Sequence, residues 1–178
     1  VSDVFISYVH EDARLVHFLA GVLESNGVTV WLDKDKLSPG MRWKHAIRNA
    51  IQNGTYFISI HSKQREMRSK SYVNEELVLA IDEMRKRPTS KTWFIPVVVD
   101  DTKIEDREIG GGETLADLQR CDLRNWGSGL LQLLTALGVE NPTIDQGDPL
   151  ANGLPSVVEI SGGFVRYDEL PGAPEMMQ

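Results

Sequence analysis

The sequence predicts an α/β fold: a flavodoxin-like three-layer sandwich, with a five-stranded parallel sheet in the order 2-1-3-4-5 and helices on both faces. Three observations predict it. Short apolar runs alternate with segments of helical periodicity. The runs carry few polar residues, as strands covered on both faces do. Turn signals close three of the helical segments, at Asn26-Gly27, Asn53-Gly54 and Gly138. Parallel strands joined through helices require right-handed crossovers, and five such units give the 2-1-3-4-5 order.

The first strand is Val4-Phe5-Ile6, ending at Ser7-Tyr8. Acidic residues in His10-Glu11-Asp12 open the first helix, in which Leu15, Phe18, Leu19, Val22 and Leu23 recur at helical spacing. Val28 to Leu32 forms the second strand. A charged loop from Asp33 to Gly40 follows, with the turn signal Ser38-Pro39-Gly40. Trp43, Ala46, Ile47, Ala50 and Ile51 mark the second helix, and Tyr56 to Ile60 the third strand. A polar, basic loop from Ser62 to Lys70 leads to a third helix over 71–86. Phe94 to Val99 is the fourth strand, although Pro96 cannot donate to a ladder and demands an edge, a bulge or a strand end. Glu105 to Glu113, with three consecutive glycines, is expected to be a mobile loop. Leu115 to Leu118 is expected to be a short helix and Cys121 to Leu123 a very short fifth strand. Leu130, Leu131, Leu133, Leu134 and Leu137 form the last helix.

Composition changes from Val139: five of the eight prolines lie in residues 139–178. The expected division is a domain over 1–138 and an extension over 139–178. The extension reads as a linker followed by a hairpin, Val157 to Ile160 and Phe164 to Tyr167 around Ser161-Gly162-Gly163.

Composition excludes several function classes. The net charge of −7 argues against nucleic acid as a direct partner. No apolar run is long enough to span a bilayer, so no membrane partner is expected. With no signal-peptide pattern after Val1 and a single cysteine, Cys121, the expected location is cytoplasmic. That cysteine reads as packing rather than nucleophile, and His17 as a surface residue. The four histidines lack metal-ligand spacing, and no Walker loop, GxGxxG, HExxH or GxSxG occurs, so no metal site is expected. Charge is uneven: residues 1–99 carry 14 Lys and Arg against 11 Asp and Glu, and residues 100–178 carry 5 against 15. The mildly basic first part suits a small anionic ligand as well as an ordinary solvated surface.

Ligands of open parallel sheets bind beyond the carboxyl ends of the strands. That rule selects Ser7, Tyr8 and His10, then Trp31 and Asp33, then Ser59, His61 and Ser62. Polar rims are also the ordinary condition of such sheets. On the third helix, Glu76 has Tyr72, Val73, Leu79 and Ala80 at i−4, i−3, i+3 and i+4. A carboxylate among such neighbours is poorly solvated, which raises its pKa, and perturbed carboxylates concentrate at functional sites. The alternative is a glutamate on an ordinary helix surface.

Phe5-Ile6-Ser7-Tyr8 with His10-Glu11-Asp12 resembles the opening of Toll/interleukin-1 receptor (TIR) domains. Val30-Trp31-Leu32-Asp33 with Leu37-Ser38-Pro39-Gly40 is similar to that family's second strand and BB loop, and its Trp-x-Asp to prokaryotic members. Phe57-Ile58-Ser59-Ile60-His61-Ser62 and Phe94-Ile95-Pro96-Val97 resemble the third and fourth strands. Ser71-Tyr72-Val73-Asn74-Glu75-Glu76-Leu77 resembles the segment bearing the catalytic glutamate of NAD⁺-cleaving members, with Tyr72 and Val73 where Trp and sometimes Cys are usual; Glu76 falls in register. The motifs occur in order across residues 1–138.

The resemblance implies an NAD⁺ glycohydrolase or cyclase that gives nicotinamide and ADP-ribose or a cyclic form. It implies activation by self-assembly through TIR–TIR contacts, an upstream activator or fused sensor, and a role in defence signalling, antiviral defence included. NAD⁺ is then the substrate, and no cofactor is required. Glu76 would be catalytic. Trp31 or Tyr8 would stack on a ring, Lys36 or Arg42 would face the pyrophosphate, and Ser7, Asp33 and Tyr72 would complete the binding site. Two other readings stay open: a signalling adaptor whose BB loop docks another TIR domain, and an enzyme like the nucleoside deoxyribosyltransferases, which shares the fold and a catalytic glutamate.

Overall fold

A computed structural model of the chain describes residues 3–32, 56–67, 72–86, 92–144, 157–160 and 163–166, together with His45 and Arg48. The strands are β1 (Asp3–Ser7), β2 (Thr29–Leu32), β3 (Tyr56–His61), β4 (Phe94–Val98), β5 (Glu108–Gly110), β6 (Glu113–Thr114), β7 (Cys121–Asp122), β8 (Val157–Ile160) and β9 (Gly163–Arg166). The helices are α1 (Ala13–Ser25), α2 (Lys63–Glu66), α3 (Tyr72–Lys86) and α4 (Trp126–Ala136), with 3₁₀ turns at His10–Asp12 and Leu115–Asp117. The main sheet runs β2-β1-β3-β4-β7, every pair parallel. Counting its own strands alone, this is the 2-1-3-4-5 order that the sequence predicts. The second predicted helix and the loop from Asp33 to Gly40 lie outside the described residues, except that His45 and Arg48 are helical.

Alternation along the strands divides the core in two. On one face Val4, Ile6, Ile58, Ile60 and Val97 pack with Leu19 and Leu23 of α1 and Leu130 and Leu134 of α4. Phe18 and Trp126 join those two helices at a ring separation of 5.5 Å. On the other face Phe5, Phe57 and Phe94 meet Leu77, Ala80 and Ile81 of α3. Register sets Trp31, Phe5, Phe57 and Phe94 in one row across four strands. Phe57 stacks on Phe5 at 5.5 Å and on Phe94 at 5.4 Å.

Pro96 lies inside β4, an interior strand, and the ladder geometry shows why it fits. Val99 donates its N–H to the His61 carbonyl, and Leu123 donates to the Val98 carbonyl. Odd residues of β4 therefore turn their backbone groups toward β3, and even residues toward β7. The missing N–H of Pro96 is on the β7 side, where pairing covers only Val97 and Val98. The proline sits just before that ladder starts.

The structure corrects several expectations. The glycine-rich segment is not an open loop: β5 and β6 pair antiparallel around Gly111 and Gly112, both at positive φ. Ile109 and Leu115 anchor it in the core beneath α3, and the Glu108 carbonyl accepts from Arg85. The basic loop after β3 contains α2, whose N-cap Ser62 accepts from the Arg65 N–H. His17 is buried rather than at the surface. The hairpin strand begins at Gly163, one residue earlier than read. The chain past α4 stays attached: Val139 and Ile144 pack on the first core. Asn26 donates to the Thr143 carbonyl and accepts from its N–H, at 3.0 and 2.7 Å. Further on, β8 lies against α1.

Gly129 is where α4 meets the end of the sheet. A Cβ there would collide with the Asp122 carbonyl and touch the Leu123 backbone, and backbone cannot swing aside. Gly129→Ala should therefore destabilise the fold by about 1–3 kcal/mol. Gly127→Ala, where a Cβ meets nothing, should gain up to about 1 kcal/mol from helix propensity. Urea unfolding of the two variants measures both, and equal midpoints would contradict this packing.

Candidate functional site

Two residues beyond the aromatic row, toward the carboxyl ends, the same face carries Ser7, Ser59 and Pro96 side by side. His61 follows on β3. A layer of small side chains thus replaces a layer of rings where the strands end. Ser7, Ser59 and His61 are buried. Ser59 Oγ lies 2.9 Å from His61 Nε2, and Ser7 Oγ has no hydrogen-bond partner among the described residues. Burial, and after it the nearby Arg65 guanidinium, lowers the His61 pKa from 6.5 to about 3, so the ring is neutral.

Helix α3 leads from the carboxyl end of β3 to the start of β4, so it runs against the strands. Leu77, Ala80 and Ile81 rest on the aromatic row, and one helical turn, residues 72–76, precedes them. At about 100° per residue, position 76 shares its side of the helix with Ala80 and Glu83, both buried. Position 75 shares its side with Asp82 and Lys86, both exposed.

A second polar group braces the rim. Ser62 Oγ donates to the Asp12 carboxylate at 2.5 Å, tying the segment after β1 to the segment after β3. Arg65, buried, donates to the Ile60 carbonyl at 2.8 Å. Thr102, after β4, donates to Glu66 at 2.9 Å, and Asp100 accepts from the N–H groups of Lys63 and Thr102. Burial raises the Asp12 pKa above its ordinary value, the Ser62 hydrogen bond opposes this, and Asp100 and Glu11 add to the rise. This network was not evident in the sequence. Asp12 reads there only as a charge at a helix start and Arg65 as one of several cations in a loop.

Of the residues singled out in the sequence, the structure brings Ser7 beside Ser59 and His61. It puts Trp31 on the same face, in the row of Phe5 but on the edge strand and 36% exposed. Tyr8 falls elsewhere: it packs against the first core, edge-on to His17 at a ring separation of 6.4 Å. Asp33, Lys36 and Arg42 lie outside the described residues, and Tyr72 is placed as the first residue of α3. Cys121 packs, its Sγ donating to the Gly129 carbonyl at 3.0 Å, and burial raises the thiol to about 11. Among the described residues no three His, Cys, Asp or Glu side chains group as metal ligands, and no helix is long and apolar enough to cross a membrane.

A family model described as a TIR domain matches residues 4–134. The chain is 30% identical over 128 residues to the uncharacterized protein y4cD of Sinorhizobium fredii, a match covering 71% of this chain and 18% of that protein. It is 40% identical over 63 residues to the NAD(+) hydrolase TcpA of a Theionarchaea archaeon, covering 35% of this chain and 19% of that protein. The match thus spans under a fifth of the length of either curated relative.

The neutral His61 has a consequence for stability. Its folded pKa lies below the unfolded 6.5, so between those values the unfolded chain binds a proton that the folded chain refuses. The contribution of the neutral ring is complete above about 6.5 and is lost as pH falls toward about 3. Asp12, raised, acts with the opposite sign across the carboxylate range. His61→Gln should flatten the fall in unfolding free energy between about pH 6.5 and pH 4 by up to about 1.4 kcal/mol per pH unit. Urea titrations across that range test it, and an unchanged slope would contradict a buried neutral ring.

Proposed function

Because the chain belongs to the TIR domain family, we propose that it is an NAD⁺ nucleosidase in which Glu76 is the catalytic residue. The observation that carries the reading is the TIR family match over residues 4–134, within which Glu76, on helix α3, falls in register with the glutamate of the segment that residues 71–77 resemble. The similarity to a relative named as an NAD(+) hydrolase supports the same reaction.

The chemistry asks little of the protein. Nicotinamide leaves as a neutral molecule, so no general acid is needed, and the ribose passes through an oxocarbenium-like state. A fixed carboxylate stabilises that positive charge and holds the ribose hydroxyls. Water then takes C1′ and releases a proton, giving ADP-ribose; attack by the adenine ring of the same molecule gives the cyclic form. Trp31, exposed on the same face, would stack on a ring of the substrate. Lys36 and Arg42 would meet the pyrophosphate, with Ser7, Asp33 and Tyr72 shaping the rest of the site. NAD⁺ is the substrate, and no cofactor takes part.

A neighbouring copy would close this rim as a lid does within one chain. Head-to-tail contacts of that kind build rings or filaments. We place the activity in self-assembled TIR domains within defence signalling, under an upstream activator or fused sensor.

Two results check this reading. Product analysis after incubating concentrated protein with NAD⁺ should show free nicotinamide. Glu76→Gln should lower the rate at least about 100-fold while changing stability by under about 1 kcal/mol; Glu75→Gln should keep most of the activity. Loss of activity in the Glu75 variant alone would move the catalytic role to that residue, and intact NAD⁺ with the wild-type chain would favour the adaptor. Turnover per molecule should also rise with protein concentration. Constant turnover across a wide dilution series, with light scattering showing monomer throughout, would refute activation by assembly.

A further inference from the structure

Helices α1 and α4 pack on the same face of the sheet, yet only one of them presents an open side to solvent. On α4 the positions away from the sheet, Gly127, Ser128, Leu131, Gln132, Thr135 and Ala136, are all exposed. On α1 the positions toward the sheet are Val16, Leu19, Ala20 and Leu23. At about 100° per residue, Arg14, Phe18, Gly21 and Ser25 are on the opposite side. Phe18 is buried there, and Arg14 and Gly21 are half-buried. Ser25, at the very end of the helix, is the one exposed residue of α1. Trp126 of α4 meets Phe18, and the element that lies against α1 from outside the main sheet is β8 of the C-terminal hairpin.

The route of the chain to this place begins at a fixed point. After α4, Val139 and Ile144 pack on the first core. Both backbone groups of Thr143 are bonded to the side chain of Asn26, the C-cap of α1. Twelve residues, 145–156, separate Ile144 from β8. Segments joined by a short tether meet at an effective concentration of roughly millimolar. The hairpin itself is small: two strands of four residues, with Val158 opposite Val165. An isolated two-stranded hairpin is marginal in water, so its order depends on α1, and it opens at less cost than the core does.

We propose that the β8–β9 hairpin is a tethered cap on the outer side of α1, that it keeps a second copy of the chain off this side, and that its release opens the side for self-association. The proposal rests on the reading that the domain works in assembled form. Charge favours a second copy as the excluded partner. Two copies each carry a net charge of −7, and like charges facing each other oppose association. Helix α4 has no charged residue from Trp126 to Ala136 and exposes Leu131. The outer side of α1 extends this surface through Phe18 and Gly21. Uncapped, the two helices offer a surface on which like-charged molecules meet without that cost. While the cap is docked at its high effective concentration, a free copy at micromolar concentration is a weak competitor.

The test uses the full chain. Val158→Asp with Val165→Asp sets two carboxylates opposite each other in the ladder, which breaks the hairpin. Hydrogen exchange should show residues 157–166 protected in the wild type and unprotected in this variant. Sedimentation velocity should show the variant associating reversibly at a protein concentration at least about tenfold lower than the wild type needs. Adding Gly21→Glu puts like charges on the opened side of α1 and should cancel that gain. Asn26→Ala removes the clip, leaves the hairpin sequence intact and should shift association in the same direction; it decides the matter if the paired aspartates disturb the fold. Free exchange of the hairpin in the wild type would overturn the proposal, as would release without a change in association, or association that ignores Gly21→Glu. Paired aspartates that leave both protection and association unchanged overturn it as well, because a cap held so firmly regulates nothing. These readouts need no turnover. Uncapped chains that associate and leave NAD⁺ intact would uphold the cap and sink the proposed reaction, whereas NAD⁺ cleavage in chains whose association ignores uncapping would do the reverse.

Discussion

Parallel pairing of β1 with β3 puts Ser7 beside Ser59 two residues after it stacks Phe5 on Phe57, and the arrangement of the rim follows from that register. Pleating alternates side chains between faces, so one ladder sets both the aromatic floor on which α3 rests and the small polar layer beyond it. A slip of one residue would carry Ser7 and Phe5 into the aliphatic core on the α1 side and bring Val4 and Ile6 under α3. The burial of rings on one side and branched aliphatics on the other therefore holds the site's geometry in place.

Helix α3 links the hydrophobic and the chemical parts of the molecule. Leu77, Ala80 and Ile81 fix its rotation over the phenylalanines. The rim is braced separately, by Asp12 to Ser62 and Glu66 to Thr102. These bonds connect the segments that follow three different strands. Packing sets the helix, and polar bonds set the loops around it.

Much of this was legible in the sequence because it is periodic. The strand order and the faces of α1 and α4 follow from spacing, and the strand-end rule picked out Ser7, Ser59 and His61. What escaped has no period. Ile109 and Leu115 lie six residues apart around a glycine turn, so the hairpin they anchor looks like solvent-exposed loop. The partners of Asp12 and Arg65 are set by tertiary contact across fifty residues or by a local turn. Buried His17 sits at the margin of the helix's apolar stripe, where sequence alone cannot tell a packed ring from an exposed one. Tyr8, one residue past the strand, left the face that its neighbour Ser7 occupies because alternation sends it to the other side.

Pro96 acts as a register stop. Even-numbered residues of β4 offer their backbone to β7, and the last sheet strand is only two residues long, too short to choose its own alignment by burial. Sliding it two residues back along β4 would ask for an amide proton that proline lacks, and sliding it by one would turn Cys121 away from the core. The proline thus acts as negative information: by withholding a donor it leaves one berth for β7, and with it one position for the helix that follows.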